Sequence, residues 1–336
     1  MSVGPHKIAY EVIKGWERLP EGWSFVEVAG VAVDSQDRVY VFNRGAHPIV
    51  VFDKEGKFLN AWGEGVFANA HGIFIDRNDQ LYLSDHFDHT VRVFDTAGNM
   101  KWMLGKPGVA ANTGFKENES PVLWGGGPFN KVTNVAIGEG GDLFISDGYG
   151  NARVHRYSAD GKLITSWGQP GNGPGEFNLP HSIAVDSANR IYVADRENSR
   201  VQIFRKDGTF LQAWDWVNRP CDLFIDDQDN IYIAELGWML PANPARIHYN
   251  FCDHPPMGHD PIARVTVCDP DGRVISRFGG PDPLLPGNFI APHGIWVDSR
   301  GDLYCGEVVK TAGATARFAP LEVRSLQKFK RSGGPS

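Results

Sequence analysis

The chain has 336 residues, 42% of them hydrophobic and 22% charged, the balance of a soluble globular protein. Its formal net charge of −7 argues against nucleic acid as a partner, because a basic face is needed to displace counterions. No stretch approaches the roughly 18 consecutive apolar residues of a membrane-spanning helix, so no membrane is expected either.

Met1 to Pro20 has no apolar signal-peptide core; it alternates polar and apolar residues instead. Within it, Lys7 to Trp16 reads as a strand without a local partner. From residue 29 onward one pattern recurs six times: Ala29-GVAVDSQDRVYVFN, His71-GIFIDRNDQLYLSD, Thr133-NVAIGEGGDLFISD, His181-SIAVDSANRIYVAD, Cys221-DLFIDDQDNIYIAE and His293-GIWVDSRGDLYCGE. Each is an apolar strand, a polar turn with Asp, Asn or Gly, and a second apolar strand, which is a hairpin. Third strands follow at Ile49–Asp53, Val91–Asp95, Val154–Ser158, Val201–Arg205 and Val265–Asp269, each closed by a Gly-containing turn. Fourth strands end at Trp62-Gly63, Leu104-Gly105, Trp167-Gly168 and Phe278-Gly279. Four strands per repeat make a propeller blade, and a strand period of two excludes a helical solenoid. The expected fold is all-β, a single six-bladed β-propeller over residues 1–336. The N-terminal strand would close the ring by pairing into the last blade, which removes an open sheet edge.

Two insertions interrupt the repeat, at 106–130 and 237–263. Loops of that length over a propeller mouth shape a pocket or a subunit contact. Cys252, His254 and His259 in the second insertion match no common zinc spacing. The basic run Lys328 to Arg331 reads as a solvated tail. None of Cys221, Cys252, Cys268 and Cys305 falls in a CxxC pair. With no export signal expected, free thiols in the cytoplasm are the expectation.

The first residue of the aligned segments is, in order, Ala29, His71, Thr133, His181, Cys221 and His293, so histidine occupies every second blade. Innermost strands line the channel of a propeller, and alternate blades are related by a third of a turn. The three imidazoles would meet on the axis and offer three nitrogens with an open fourth position, the ligand set of a catalytic zinc or another divalent transition metal. Singly, each would read as a hydrogen-bonded channel histidine. The second strands end in Asn43-Arg44, Asp147-Gly148-Tyr149 and Asp195-Arg196, on loops expected at one mouth of that channel. There an arginine can grip a carboxylate and a tyrosine can serve as a general base. Considered by spacing alone, these would be ordinary surface residues.

The hairpins and the segment Ala194-DRENSRVQIF resemble the NHL-repeat family over roughly residues 25 to 310. Val41-FNRGAH, Ala70-His71-Gly72, Ser146-DGYGNAR, Leu179-PHSIAVD, Ala194-DRENSR and Ala291-PHGI resemble, in the same blades and order, the peptidyl-α-hydroxyglycine α-amidating lyases. That resemblance implies zinc on His71, His181 and His293, a catalytic Tyr149 and a catalytic Arg44, with Arg196 at the active site. It implies cleavage of a carbinolamide, N–CH(OH)–COO⁻, into an amide and glyoxylate. It also implies disulfides in the secreted members, but Gly150 and Phe204 stand at half-cystine positions. A structural calcium would use the carbonyls of Val31 and Ile73 and one Asp, whose position is Gly294 here. The expected protein is therefore a metal-dependent lyase acting on a small molecule, peptide-derived or not. A zinc hydrolase or hydratase, and a non-catalytic protein-binding scaffold, are the alternatives.

Overall fold

The repeated hairpin is held by one hydrogen-bonding scheme. Asp34 ends the first strand of its hairpin, accepts the N–H groups of Gln36 and Arg38, and accepts the hydroxyl of Tyr40 on the second strand. Asp76 with Tyr82, Asp186 with Tyr192, Asp226 with Tyr232 and Asp298 with Tyr304 repeat the Asp–Tyr bond. Only the third hairpin differs, and there both partners change together, to Gly138 and Phe144. Asp37, Asp79, Asn189 and Asp229 turn the chain at positive φ, a conformation that Asn and Asp tolerate better than bulky residues. Their side chains also join neighbouring repeats. Ser35 donates to Asp79, Ser187 to Asp229 and Ser299 to Asp37.

The computed structural model describes residues 8–238, 262–321 and 323–332. These form a six-bladed β-propeller of six four-stranded antiparallel sheets. Five blades take their strands in chain order from the innermost outward. The innermost strands are Val28–Val33, Ala70–Ile75, Val132–Ile137, Pro180–Val185, Pro220–Ile225 and Pro292–Val297, and each contacts the next around a closed ring. The sixth blade consists of Pro292–Val297, Leu303–Glu307 and Leu326–Ser332, with Ala9–Ile13 as its outermost strand. Ala9 lies opposite Ser332 and Ile13 opposite Lys328. Among the described residues no helix is long and apolar enough to cross a membrane.

The apolar core lies between neighbouring blades, not on the axis. Fourth-strand tryptophans pack on third-strand phenylalanines of the next blade: Trp62 on Phe94 with rings 5.1 Å apart, and Trp167 on Phe204 at 5.9 Å. Each of these fully buried phenylalanines contributes about 1.5–3 kcal/mol, and the half-buried tryptophans cover them. This explains the aromatic–glycine ending of the fourth strands. Cys221, Cys268 and Cys305 are buried free thiols; Cys252, His254 and His259 lie outside the described residues.

A buried acid staples the channel mouth in five blades. Asp85, Asp147, Asp195, Glu235 and Glu307 end the second strands and accept N–H groups from the loop that enters the first strand, such as Asn130, Asn178 and Asn218. Each also meets a third-strand polar side chain: Arg92, His155, Gln202, Thr266 or Gln327. Asn43 serves in the first blade by accepting Val26 N–H. The residue following each staple therefore emerges at a fixed place over the channel.

Candidate active site

Every innermost strand carries an irregularity at its first aligned residue. The pairing skips from Val28 to Gly30, Ala70 to Ile73, Val132 to Asn134, Pro180 to Ser182, Pro220 to Asp222 and Pro292 to Gly294. A β-bulge leaves its extra residue outside the ladder and re-aims the side chain. Three of the bulged residues are His71, His181 and His293. Their rings are 4.7, 4.8 and 4.6 Å apart, close to threefold symmetry, and one nitrogen from each lies within 4.8 Å of the others.

The other three bulges orient these rings. His71 Nδ1 bonds the carbonyl of Thr133 at 2.8 Å, His181 Nδ1 that of Cys221 at 2.6 Å, and His293 Nδ1 that of Ala29 at 2.6 Å. A carbonyl only accepts, so each Nδ1 carries a proton and Nε2 keeps its lone pair. His71 Nε2 is buried with no hydrogen-bond partner among the described residues. Burial, reinforced by the neighbouring imidazoles, holds His71 well below the ordinary imidazole range; burial and then Arg196 do the same for His181. A set of converging imidazoles that is buried, fixed in tautomer and includes an orphaned ring nitrogen fits a divalent transition metal.

Tyr149 is only 6% exposed, and its hydroxyl lies 3.0 Å from His181 Nε2. Arg196 donates to that hydroxyl from Nη1 at 3.1 Å and stands over the phenol ring. Arg196 Nε in turn bonds Glu197 at 2.8 Å, and Glu197 also accepts two bonds from Arg219. Burial would raise the Glu197 carboxyl, but Arg219 and Arg196 outweigh it and hold it at about 2. Arg44 donates from Nε to the carbonyl of Ala70, the residue before His71, and from Nη1 to Glu27 and to Thr311 of the sixth blade. Thus all six residues singled out from the sequence gather at one end of the channel. Tyr149 joins the histidines directly, Arg196 acts on Tyr149, and Arg44 abuts the His71 strand.

His86 escaped the sequence reading. It is buried, stacks on Tyr149 at 5.1 Å and meets the edge of His71 at 5.3 Å. It follows Asp85 as Arg44 follows Asn43 and Arg196 follows Asp195, so comparing that one position in all six blades would have found it. Glu27, Glu197 and Arg219 carried no such signal, because the bonds of Glu27 to Thr311 and of Glu197 to Arg219 run between blades.

The calcium ligands do not fit. At the second aligned position the residues are Gly30, Gly72, Asn134, Ser182, Asp222 and Gly294, so the axial carboxylate is in the fifth blade, not the sixth. Asp222 accepts Ser182 Oγ at 2.6 Å, Asn134 Nδ2 at 2.9 Å and Ile295 N–H at 2.9 Å. Three protein donors thus satisfy its oxygens. A Cβ at Gly294 would lie 2.6 Å from Gly30 Cα, which leaves no room for a side chain. Burial pushes the Asp222 carboxyl up to about 6 against these bonds.

The fold and axial cluster define an NHL-type propeller with a three-histidine centre; the NHL repeat model matches residues 177–204. Human NHL repeat-containing protein 3 is 35% identical over 332 residues, covering 94% of this chain and 85% of that protein, and the chain belongs to this family. The chain is also similar to peptidyl-alpha-hydroxyglycine alpha-amidating lyase 1 of Drosophila melanogaster, 38% identical over 119 residues, which is 32% of this chain and 20% of that protein. Among solved structures, a gluconolactonase from Xanthomonas campestris shares the fold with a TM-score of 0.62 at 12% identity, covering 98% of this chain and 96% of that one.

Proposed function

We propose that this protein is a divalent-metal-dependent lyase that cleaves a small hydroxylated, carboxylate-bearing substrate of the carbinolamide type. The observation that carries the reading is the trio of buried axial histidines with Nδ1 committed to main-chain carbonyls. His71, His181 and His293 would hold the ion, with zinc as the first candidate. When bound, such an ion supplies Lewis acidity toward a substrate oxygen.

The chain's own residues account for the remaining work. Arg44 is fixed by Ala70, Glu27 and Thr311 and presents its guanidinium edge for the substrate carboxylate. Tyr149, acting as a phenolate, takes the proton of the substrate hydroxyl and becomes a neutral phenol that can pass it on. As the C–O bond becomes a carbonyl, the C–N bond breaks, and the nitrogen leaves as an amide once it has received that proton. Arg196 steadies the phenol oxygen while the proton is away, from its 3.1 Å contact. The products are an amide and an α-oxo acid.

The test is turnover of α-hydroxyhippurate, followed by glyoxylate release, on protein loaded with zinc, cobalt or manganese, beside other hydroxylated carboxylates. Metal-dependent release supports the reading. Metal-loaded protein that hydrolyses lactones or hydrates carbonyls but leaves every carbinolamide intact would replace it with a hydrolase or hydratase. A protein inert toward all of these would favour the binding scaffold.

A further inference from the structure

The loop that carries Tyr149 is held by side-chain bonds to the 106–130 insertion as well as by the main-chain bonds of the repeat. Each exit makes one or two main-chain bonds to the loop beside it: Arg44 N to Glu27 O, His86 N to Asn69 O, Arg196 N to Leu179 O with Glu197 N to Asn178 O, and Tyr149 N to Lys131 O with Gly150 N to Asn130 O. The Tyr149 loop receives, beyond these, side-chain bonds from the 106–130 insertion. Thr113 Oγ1 donates to the carbonyl of Gly150 at 2.6 Å. The Asn130 carbonyl accepts Gly150 N–H at 3.0 Å, while the Asn130 side chain donates to Thr113 Oγ1 at 3.1 Å. Asn151 accepts the N–H of Gly126 and donates to the carbonyl of Gly127. Thr113 is 1% exposed, so its bonds to Gly150 and Asn130 are dry.

The fit is also steric. A Cβ at Gly148 would lie 2.2 Å from Pro180 O, and one at Gly150 would lie 2.2 Å from Asn130 Oδ1. The two glycines flanking Tyr149 are thus wedged between the fourth blade and the insertion. The phenol, one residue from each wedge, has its oxygen fixed to within hydrogen-bonding reach of His181 and Arg196.

We propose that the 106–130 insertion is a clamp for the Tyr149 loop, with Thr113 as a positioning residue whose hydroxyl sets where the phenol stands. This rests on Tyr149 acting as the base. The test compares wild type, Thr113→Val and Thr113→Ser in three readouts: turnover, bound metal and amide hydrogen exchange at residues 148–151. Thr113→Val keeps the shape and removes one donor and one acceptor. It should speed exchange at 148–151 about tenfold and lower kcat about tenfold, with KM and metal content unchanged. Thr113→Ser should restore both. Unchanged exchange and kcat in Thr113→Val would overturn the proposal, and so would a Thr113→Ser variant as impaired as Thr113→Val. If the wild type turns over no substrate, the lyase reading fails, and the exchange comparison still decides whether the clamp exists.

Discussion

Each axial histidine uses Nδ1 on a carbonyl of the next blade, and this single constraint decides what its other nitrogen can do. The consequence for Tyr149 is testable at one atom. Tyr149→Phe keeps the ring against His86 and His71 and removes only the hydroxyl. It should lower kcat by roughly 10²–10⁴, the range for losing a general base, with metal content intact. Near-normal turnover would remove the tyrosine from the chemistry. Arg44→Lys should fail too, by at least about tenfold in kcat/KM, because an ammonium cannot serve Ala70, Glu27, Thr311 and a carboxylate with one geometry. The histidines, Arg44 and Arg196 were legible in the sequence because they occupy equivalent positions of an ungapped repeat, and Tyr149 because it stands one residue beyond that of the arginines. Glu197 and Arg219 were not, because a bond between blades leaves no mark on sequence spacing.

The repeated element is a hairpin with an Asp–Tyr bond at one end and a buried acid at the other. Its pattern of Val-Asp at the turn and Ser-Asp or Ala-Asp at the exit could be read directly, whereas the bulge between them could not, since it changes register and not composition. The acid staple is strong enough to measure. Asp195 accepts Asn178 N–H and holds Arg200 and Gln202, so Asp195→Ala leaves a largely buried arginine without its anion. Denaturant unfolding should find a loss of about 3–5 kcal/mol. A loss below about 1 kcal/mol, the size of an exposed pair, would show that the staple is incidental. At the floor of the channel, Asn134, Ser182 and Asp222 satisfy one another. Adding calcium should therefore leave the melting temperature unchanged. A rise that grows with calcium concentration, which linkage requires of any specifically bound ion, would contradict the assignment.

On the scale of the molecule, the ring is held by six similar interfaces, and the sixth sheet takes its outer strand from the N-terminus. Removing residues 1–13 would expose the edge of Leu326–Ser332 and strip Tyr10 from its contact with Phe278. The truncated protein should melt at a lower temperature and aggregate on heating. An unchanged melting profile would make that strand dispensable. The repeat made the propeller legible from end to end, because six copies of a weak signal reinforce one another. The 106–130 insertion was legible only as an interruption, since its contacts with Gly150 and Asn151 depend on where a non-repeating chain happens to fold.

The claim on which the account turns is that alternate blades converge on one ion. The most direct measurement is elemental analysis of protein purified without added metal, beside a variant with His71, His181 and His293 all replaced by alanine. Circular dichroism of both would show that the sheets persist. The account predicts one equivalent of a divalent transition metal per wild-type chain, or uptake of one equivalent by apoprotein, and none in the triple variant. Wild-type protein that binds no metal at neutral pH, or a folded triple variant that keeps a full equivalent, would contradict it.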